Sequence, residues 1–74
     1  MTSEAHRHPD CSEAVHLLSG TVEQRYGDDW VTLCAGETLL IPAGAVHQTR
    51  NTGAETAVLM VAYSSGARVY EVMD

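Results

Sequence analysis

The sequence predicts an all-β domain, a small barrel or sandwich of short strands. Two observations carry that expectation. Short apolar-rich runs alternate with Gly, Asp, Asn and Pro punctuation, and no window holds a sustained helical period. Many short strands at such spacing are the pattern of barrels and sandwiches. The predicted elements are a short extended piece through His6 to His8, then Glu13 to Leu18, Thr21 to Tyr26, Trp30 to Cys34, Thr38 to Ile41, His47 to Asn51, Thr56 to Tyr63 and Arg68 to Val72. Gly27-Asp28-Asp29 closes a hairpin between the two strands beside it. Ala35-Gly36-Glu37 and Pro42-Ala43-Gly44 are turns, with Gly available where φ must be positive. Asn51-Thr52-Gly53 separates the next pair. The run Ala57 to Tyr63 is apolar on both faces, so both faces want burial, and a second copy of the chain is expected to cover one of them.

Seventy-four residues make one domain, residues 1–74. A chain this short buries a small fraction of its surface and needs a metal, a disulfide or self-association as reinforcement. The formal charge is −6, the only basic residues are Arg7, Arg25, Arg50 and Arg68, and there is no Lys. Scattered arginines on an acidic chain argue against nucleic acid and against a basic membrane-surface patch. The first residues lack the basic and apolar regions of a signal peptide, and no apolar run reaches spanning length, so the expectation is a cytoplasmic protein. Cys11 and Cys34 then read as free thiols.

Three histidines and a glutamate carry the chemistry. The first stretch reads His6-x-His8-x4-Glu13-x6-Gly20, and the second Gly36-x5-Pro42-x-Gly44-x2-His47-x3-Asn51. Residues two apart on a strand point to one face, so His6 and His8 can reach a common point with Arg7 turned away. Glu13 opens the next strand and can return to that point, and barrel closure would bring His47 opposite. Imidazole suits Zn, Cu, Fe and Ni, whereas carboxylate oxygen suits Mg, Ca and Mn, so the mixture selects no single ion. Four such ligands on a six-coordinate ion leave positions open for a further ligand, whereas on tetrahedral zinc they close the site.

Nine positions at fixed spacing agree: His6, His8, Glu13, Gly20, Gly36, Pro42, Gly44, His47 and Asn51. The two stretches resemble the two motifs of the cupin superfamily, residues 6–20 the first and 36–51 the second. The resemblance implies a small jelly-roll-like cupin β-barrel. It also implies one divalent transition metal (Fe, Mn, Ni, Cu or Zn) on His6, His8, Glu13 and His47. In that pattern the glycines and the proline shape turns and Asn51 is structural. The chain departs from the family at its start. The first motif usually opens with a Gly six residues before its first His, preceded by one or more strands, and only five residues precede His6 here. The expectation is an N-terminally abbreviated barrel, its opening strands missing, supplied by a partner chain, or encoded upstream.

Strand parity places the remaining residues. His16 lies three after Glu13 and faces outward or into an interface. Cys11 is a loop thiol and Cys34 a small core residue. Val15, Leu17, Leu39, Ile41 and Thr49 share the parity of the ligand strands and line the interior. Tyr26, Trp30, Tyr63 and Tyr70 are core-packing residues or line a ligand cavity. Arg50 has the opposite parity to His47, so no basic residue points inward, and a neutral or metal-chelating substrate is favoured over a strongly anionic one. The leading reading is a metal-dependent oxidoreductase of dioxygenase-like character acting on a small, metal-chelating organic substrate, with Glu13 able to serve as proton acceptor. The alternatives are a non-catalytic binding or sensor protein, a metal-dependent isomerase or decarboxylase, and an ion that only closes the fold. The expected partners are a small-molecule ligand and a second copy of the chain, as a homodimer or higher homo-oligomer.

Overall fold

The computed structural model describes residues 2, 5, 11–64, 66 and 68–73. The predicted piece through His6 to His8 lies outside the described residues. Seven strands follow: β1 Glu13–Ser19, β2 Thr21–Tyr26, β3 Asp29–Cys34, β4 Thr38–Ile41, β5 His47–Arg50, β6 Ala57–Tyr63 and β7 Arg68–Met73. They form two antiparallel sheets, one in the order β4-β1-β6-β7 and one in the order β3-β2-β5. The chain is all-β, as expected, and its two sheets face one another in the manner of a jelly roll.

Alternation decides what lies between the sheets. Along β1, Glu13, Val15 and Leu17 are buried while Ala14 and His16 are half-buried. Along β6, Ala57, Leu59 and Val61 are buried, and Val58 and Met60 on the other face are only half-covered. Val22 and Leu33 come from the opposite sheet, and Ile41 and Met73 close the ends. Burying each such side chain contributes about 1.5–3 kcal/mol. The expected interior positions Val15, Leu17, Ile41 and Thr49 are all buried, and Leu39 packs half-buried against the same cluster.

Two glycines are required by geometry. Gly20 links β1 to β2 at φ +88°, and a Cβ there would lie 2.9 Å from the Ala57 Cα. No L side chain fits that approach without moving the backbone of β6. Gly44 takes φ +83° in the turn that feeds β5, and so sets where His47 begins. Asn51 is structural, as the family pattern implies. Its Nδ2 donates to the carbonyls of Glu55 (2.8 Å) and Met73 (2.9 Å), and its Oδ1 accepts from the Gly53 amide (3.0 Å). That side chain ties the end of β5 to the end of β7, across the two sheets. An isolated antiparallel bridge pairs Thr2 with Arg50, so the N-terminal segment meets the domain at β5, the strand that begins with His47.

Several sequence expectations are corrected. Cys34 is exposed rather than in the core, because Leu33 takes the inward position at the end of β3 and turns its neighbour outward. Of the four aromatics, none belongs to the buried core. Trp30 sits half-buried on the outer face of its sheet with the Arg50 guanidinium 3.9 Å above the ring, and Tyr70 is 70% exposed on β7. Tyr26 has inward parity but lies at a strand end, where it stays exposed. Cys11 is a free, half-buried thiol. Arg50 points outward, as expected.

Candidate metal centre

β1 and β5 belong to different sheets, and each begins at the same end of the sandwich. Glu13 is the first residue of β1 and His47 the first of β5. Both take the inward parity of their strands, and across the gap His47 Nε2 stands 2.9 Å from Glu13 Oε2. Both side chains are almost fully enclosed, at 3% and 5% exposure. Two of the four predicted ligands are thus brought together from residues 34 positions apart in sequence, by the turns at Gly20 and Gly44. His6 and His8 lie outside the described residues. Among the described residues there is no group of three or more His, Cys, Asp or Glu side chains able to hold an ion.

The described pair fits a metal on its own chemistry. A carboxylate oxygen and an imidazole nitrogen bind first-row ions at about 2.0–2.2 Å, and two such donors in adjacent positions at a right angle stand about 3 Å apart. The observed 2.9 Å, which is also that of a direct imidazole–carboxylate contact, matches that separation. Each donor also has a fixed mounting. The Glu13 backbone is held between Ile41 of β4 and Tyr63 of β6, and His47 lies opposite Tyr26 of β2. Ser12 and Ser64 exchange hydrogen bonds just outside Glu13: the Ser64 amide donates to the Ser12 carbonyl (2.9 Å) and the Ser12 amide to Ser64 Oγ (3.0 Å).

Beside Glu13 opens a cleft of about 510 Å³, lined among others by Ala14, Leu40, Ile41, Pro42, Tyr63 and Ser64, with His47 not among its lining residues. Its wall is mostly apolar, with no Arg or Lys among the described residues. Burial pushes the Tyr63 phenol above the usual tyrosine range, and the nearby carboxylates of Glu13 and Glu71 and the Cys11 thiol add to the rise. The phenol therefore stays a neutral O–H donor well into alkaline solution. His16 does not join the pair: it has outward parity and its Nδ1 lies 2.7 Å from Thr38 Oγ1 on β4.

One inward polar residue escaped the sequence reading. Gln24 is fully buried in the middle of β2, opposite Thr49, whose hydroxyl donates to Gln24 Oε1 at 2.5 Å. The available signal was its parity, shared with Val22 along β2 and set against the polar Glu23 and Arg25.

A cupin-domain family model matches residues 2–63. The chain belongs to the cupin-domain family. A germin-like protein 8-14 from Oryza sativa subsp. japonica is 35% identical over 75 residues, covering 93% of this chain and 35% of the relative. Among solved structures, the TT1209 protein from Thermus thermophilus superposes with a TM-score of 0.78 at 33% identity, over 82% of this chain and 58% of that one. A cupin-2 domain containing protein from Shewanella frigidimarina follows at 0.74 and 30%, over 81% and 57%. The chain spans about a third of the length of the curated relative and under three fifths of these structures. No helix of the described residues is long and apolar enough to cross a membrane.

Proposed function

We propose that this cupin is a metal-dependent oxidoreductase of dioxygenase-like character that acts on a small, metal-chelating organic substrate. The observation that carries the reading is the enclosed Glu13–His47 pair, whose Glu13 also lines an apolar cleft. Glu13 and His47, with His6 and His8 of the first motif, would hold one divalent transition ion. When bound, that ion supplies Lewis acidity and redox chemistry at positions left open to substrate. The protein supplies the rest. Ile41 and Pro42 give an apolar wall that sheds water from a planar organic molecule. Glu13 can hold a proton at Oε2, and the neutral Tyr63 phenol, on the strand beside it, can donate a hydrogen bond to a substrate oxygen. With no Arg or Lys in the cleft wall among the described residues, a strongly anionic substrate is disfavoured.

His47→Ala is expected to abolish metal binding, read as metal content per chain by elemental mass spectrometry on untagged protein. A variant that keeps stoichiometric metal overturns the site. Oxygen uptake with a panel of catechols, diketones and flavonols tests the reaction. Silence across Fe-, Mn-, Ni- and Cu-loaded protein would leave a binding or sensor protein as the better description.

The same reading includes self-association. The outer face of the β4-β1-β6-β7 sheet carries Leu40, Ala14, Met60, Tyr70 and Val72, of which Leu40, Tyr70 and Val72 are 73%, 70% and 61% exposed. A second copy covering this face would form a homodimer.

A further inference from the structure

The outer face of the β4-β1-β6-β7 sheet has a histidine at its middle. Strand pairing puts Thr38, His16, Met60 and Tyr70 side by side in one row across the four strands. Leu40 lies in the row on one side of them and Val72 in the row on the other. The chain carries a net charge of −6, yet among the described residues no Asp or Glu lies on this face. Glu13 and Glu71, the acids of β1 and β7, take the inward parity. Among the described residues, neither β4 nor β6 brings an ionisable side chain to the face, and β7 brings only the Tyr70 phenol, beyond Met60, and Arg68 at the rim.

Those features fit a second copy of the chain. Two acidic chains repel unless they meet where acid is missing. The exposed surface of the apolar side chains here, led by Leu40, Tyr70 and Val72, comes to roughly 700 Å² on one copy, near the ~800 Å² that each partner of a specific complex buries. Leu40 stands out beside a recess lined by Ala14 and Ala62, so the face carries both a projection and a hollow, as a surface that packs on itself needs.

We propose that this face joins two copies of the chain about a two-fold axis close to His16, and that the joint holds only while His16 is uncharged. The inference rests on the self-association reading above and adds its control by pH. His16 is half-buried before any partner arrives, and its Nδ1 is engaged with Thr38 Oγ1, so Nε2 is the ring nitrogen left to meet the other copy. A proton on the ring would bury a cation with no carboxylate to receive it, and near the axis it would set two cations against each other. Histidine changes charge between about pH 8 and pH 5, so association is strong at the alkaline end of that range and fails at the acid end. Two separated chains bind up to two protons more than the pair does, and acid therefore favours separation.

Sedimentation equilibrium of the full chain at about pH 7.5 and about pH 5.5 tests this, with the wild type, His16→Gln and His16→Lys. The wild-type dissociation constant is expected to rise about tenfold or more at the lower pH. His16→Gln can still bond Thr38 but takes no proton, and its dissociation constant should agree within about twofold at both. His16→Lys is charged throughout and should be monomeric at both. The side chain is half-buried in the single chain, so neither substitution reaches the core, and His16→Lys carries the test alone if His16→Gln does not fold. A wild-type dimer whose dissociation in acid is matched by His16→Gln overturns the pH control and leaves self-association standing. A His16→Lys variant that stays dimeric places the joint elsewhere and overturns the proposal. Wild type that is monomeric at the higher pH overturns the self-association reading itself and leaves the face to a partner other than a second copy.

Discussion

The two sheets divide the work of the molecule unequally. The β3-β2-β5 sheet carries polar residues on both faces: His47, Gln24 and Thr49 point inward beside the core residues Val22 and Leu33, while Glu23, Arg25, Gln48 and Arg50 point outward. The β4-β1-β6-β7 sheet is mainly apolar on both faces, with Glu13 as its one buried charged residue among those described. Its inner face supplies Val15, Leu17, Leu59 and Val61, and its outer face leaves Leu40, Tyr70 and Val72 in contact with water. One sheet brings polar side chains to the interior, and the other brings most of the hydrophobic surface that holds the fold and leaves an apolar outer face in water. A domain of this size has total stability of only about 4–11 kcal/mol, so the apolar sheet cannot lose much before the polar one loses its platform.

The sharpest way to break the comparison is inside the apolar sheet. Leu17→Ala removes a fully buried side chain and should cost about 3–5 kcal/mol, read by chemical unfolding. Leu33→Ala, on the edge strand of the polar sheet, should cost distinctly less, and equal costs would erase the asymmetry. Next come the outer faces. Tyr70→Glu with Val72→Glu should convert the proposed homodimer to monomer in sedimentation, whereas Arg50→Glu on the other sheet should leave it intact. Sedimentation as a monomer by the wild type would refute the covered face.

Tyr63 gives a smaller effect with a defined sign. Its pKa is raised in the folded chain, so the folded state holds this proton more tightly than the unfolded state does. The resulting stabilisation is complete below about pH 10, the ordinary tyrosine value, and is lost as pH climbs through the raised folded value. Tyr63→Phe should therefore flatten the alkaline fall in melting temperature and leave the neutral range unchanged. Smallest of all is the outer face of the polar sheet. Arg50 meets Glu23 at 3.3 Å and stacks on Trp30. The Arg50 hydrogen bond holds the Glu23 carboxyl below its usual range. This pair is solvent-exposed, so Arg50→Gln should cost little in chemical unfolding, and less still in high salt. What the pair contributes is present above the ordinary glutamate pKa and is lost as pH falls through the depressed one.

Most of the strand plan was legible in the sequence. Thr21–Tyr26 and Thr38–Ile41 match their predicted limits, and every other described strand agrees to within one residue at each end. Turn chemistry explains that success, because Gly20, Gly27, Gly36 and Gly44 all take positive φ where the chain reverses. Glu13 and His47 lie against one another across the sheets because period-two parity says which residues share a face. Parity does not say how far a face is covered. Tyr26 and Val31 have inward parity but lie at a strand end and on an edge strand, and both remain exposed. Cys34 reads as small and apolar, yet Leu33 beside it holds the inward position. Gln24 went unnoticed for the converse reason: a glutamine at an inward position looks like a break in the pattern until its Thr49 brace is seen.

The Asn51 clasp bears on how the protein would be handled by proteases. Its amide grips the Met73 carbonyl, so the far end of β7 is stapled to the strand that starts at His47. Cleavage that released β7 would strip that carbonyl, bare a buried amide and loosen the end of β5, the strand that starts at His47. Such a cleavage should thus act as an early trigger for degradation of the whole domain.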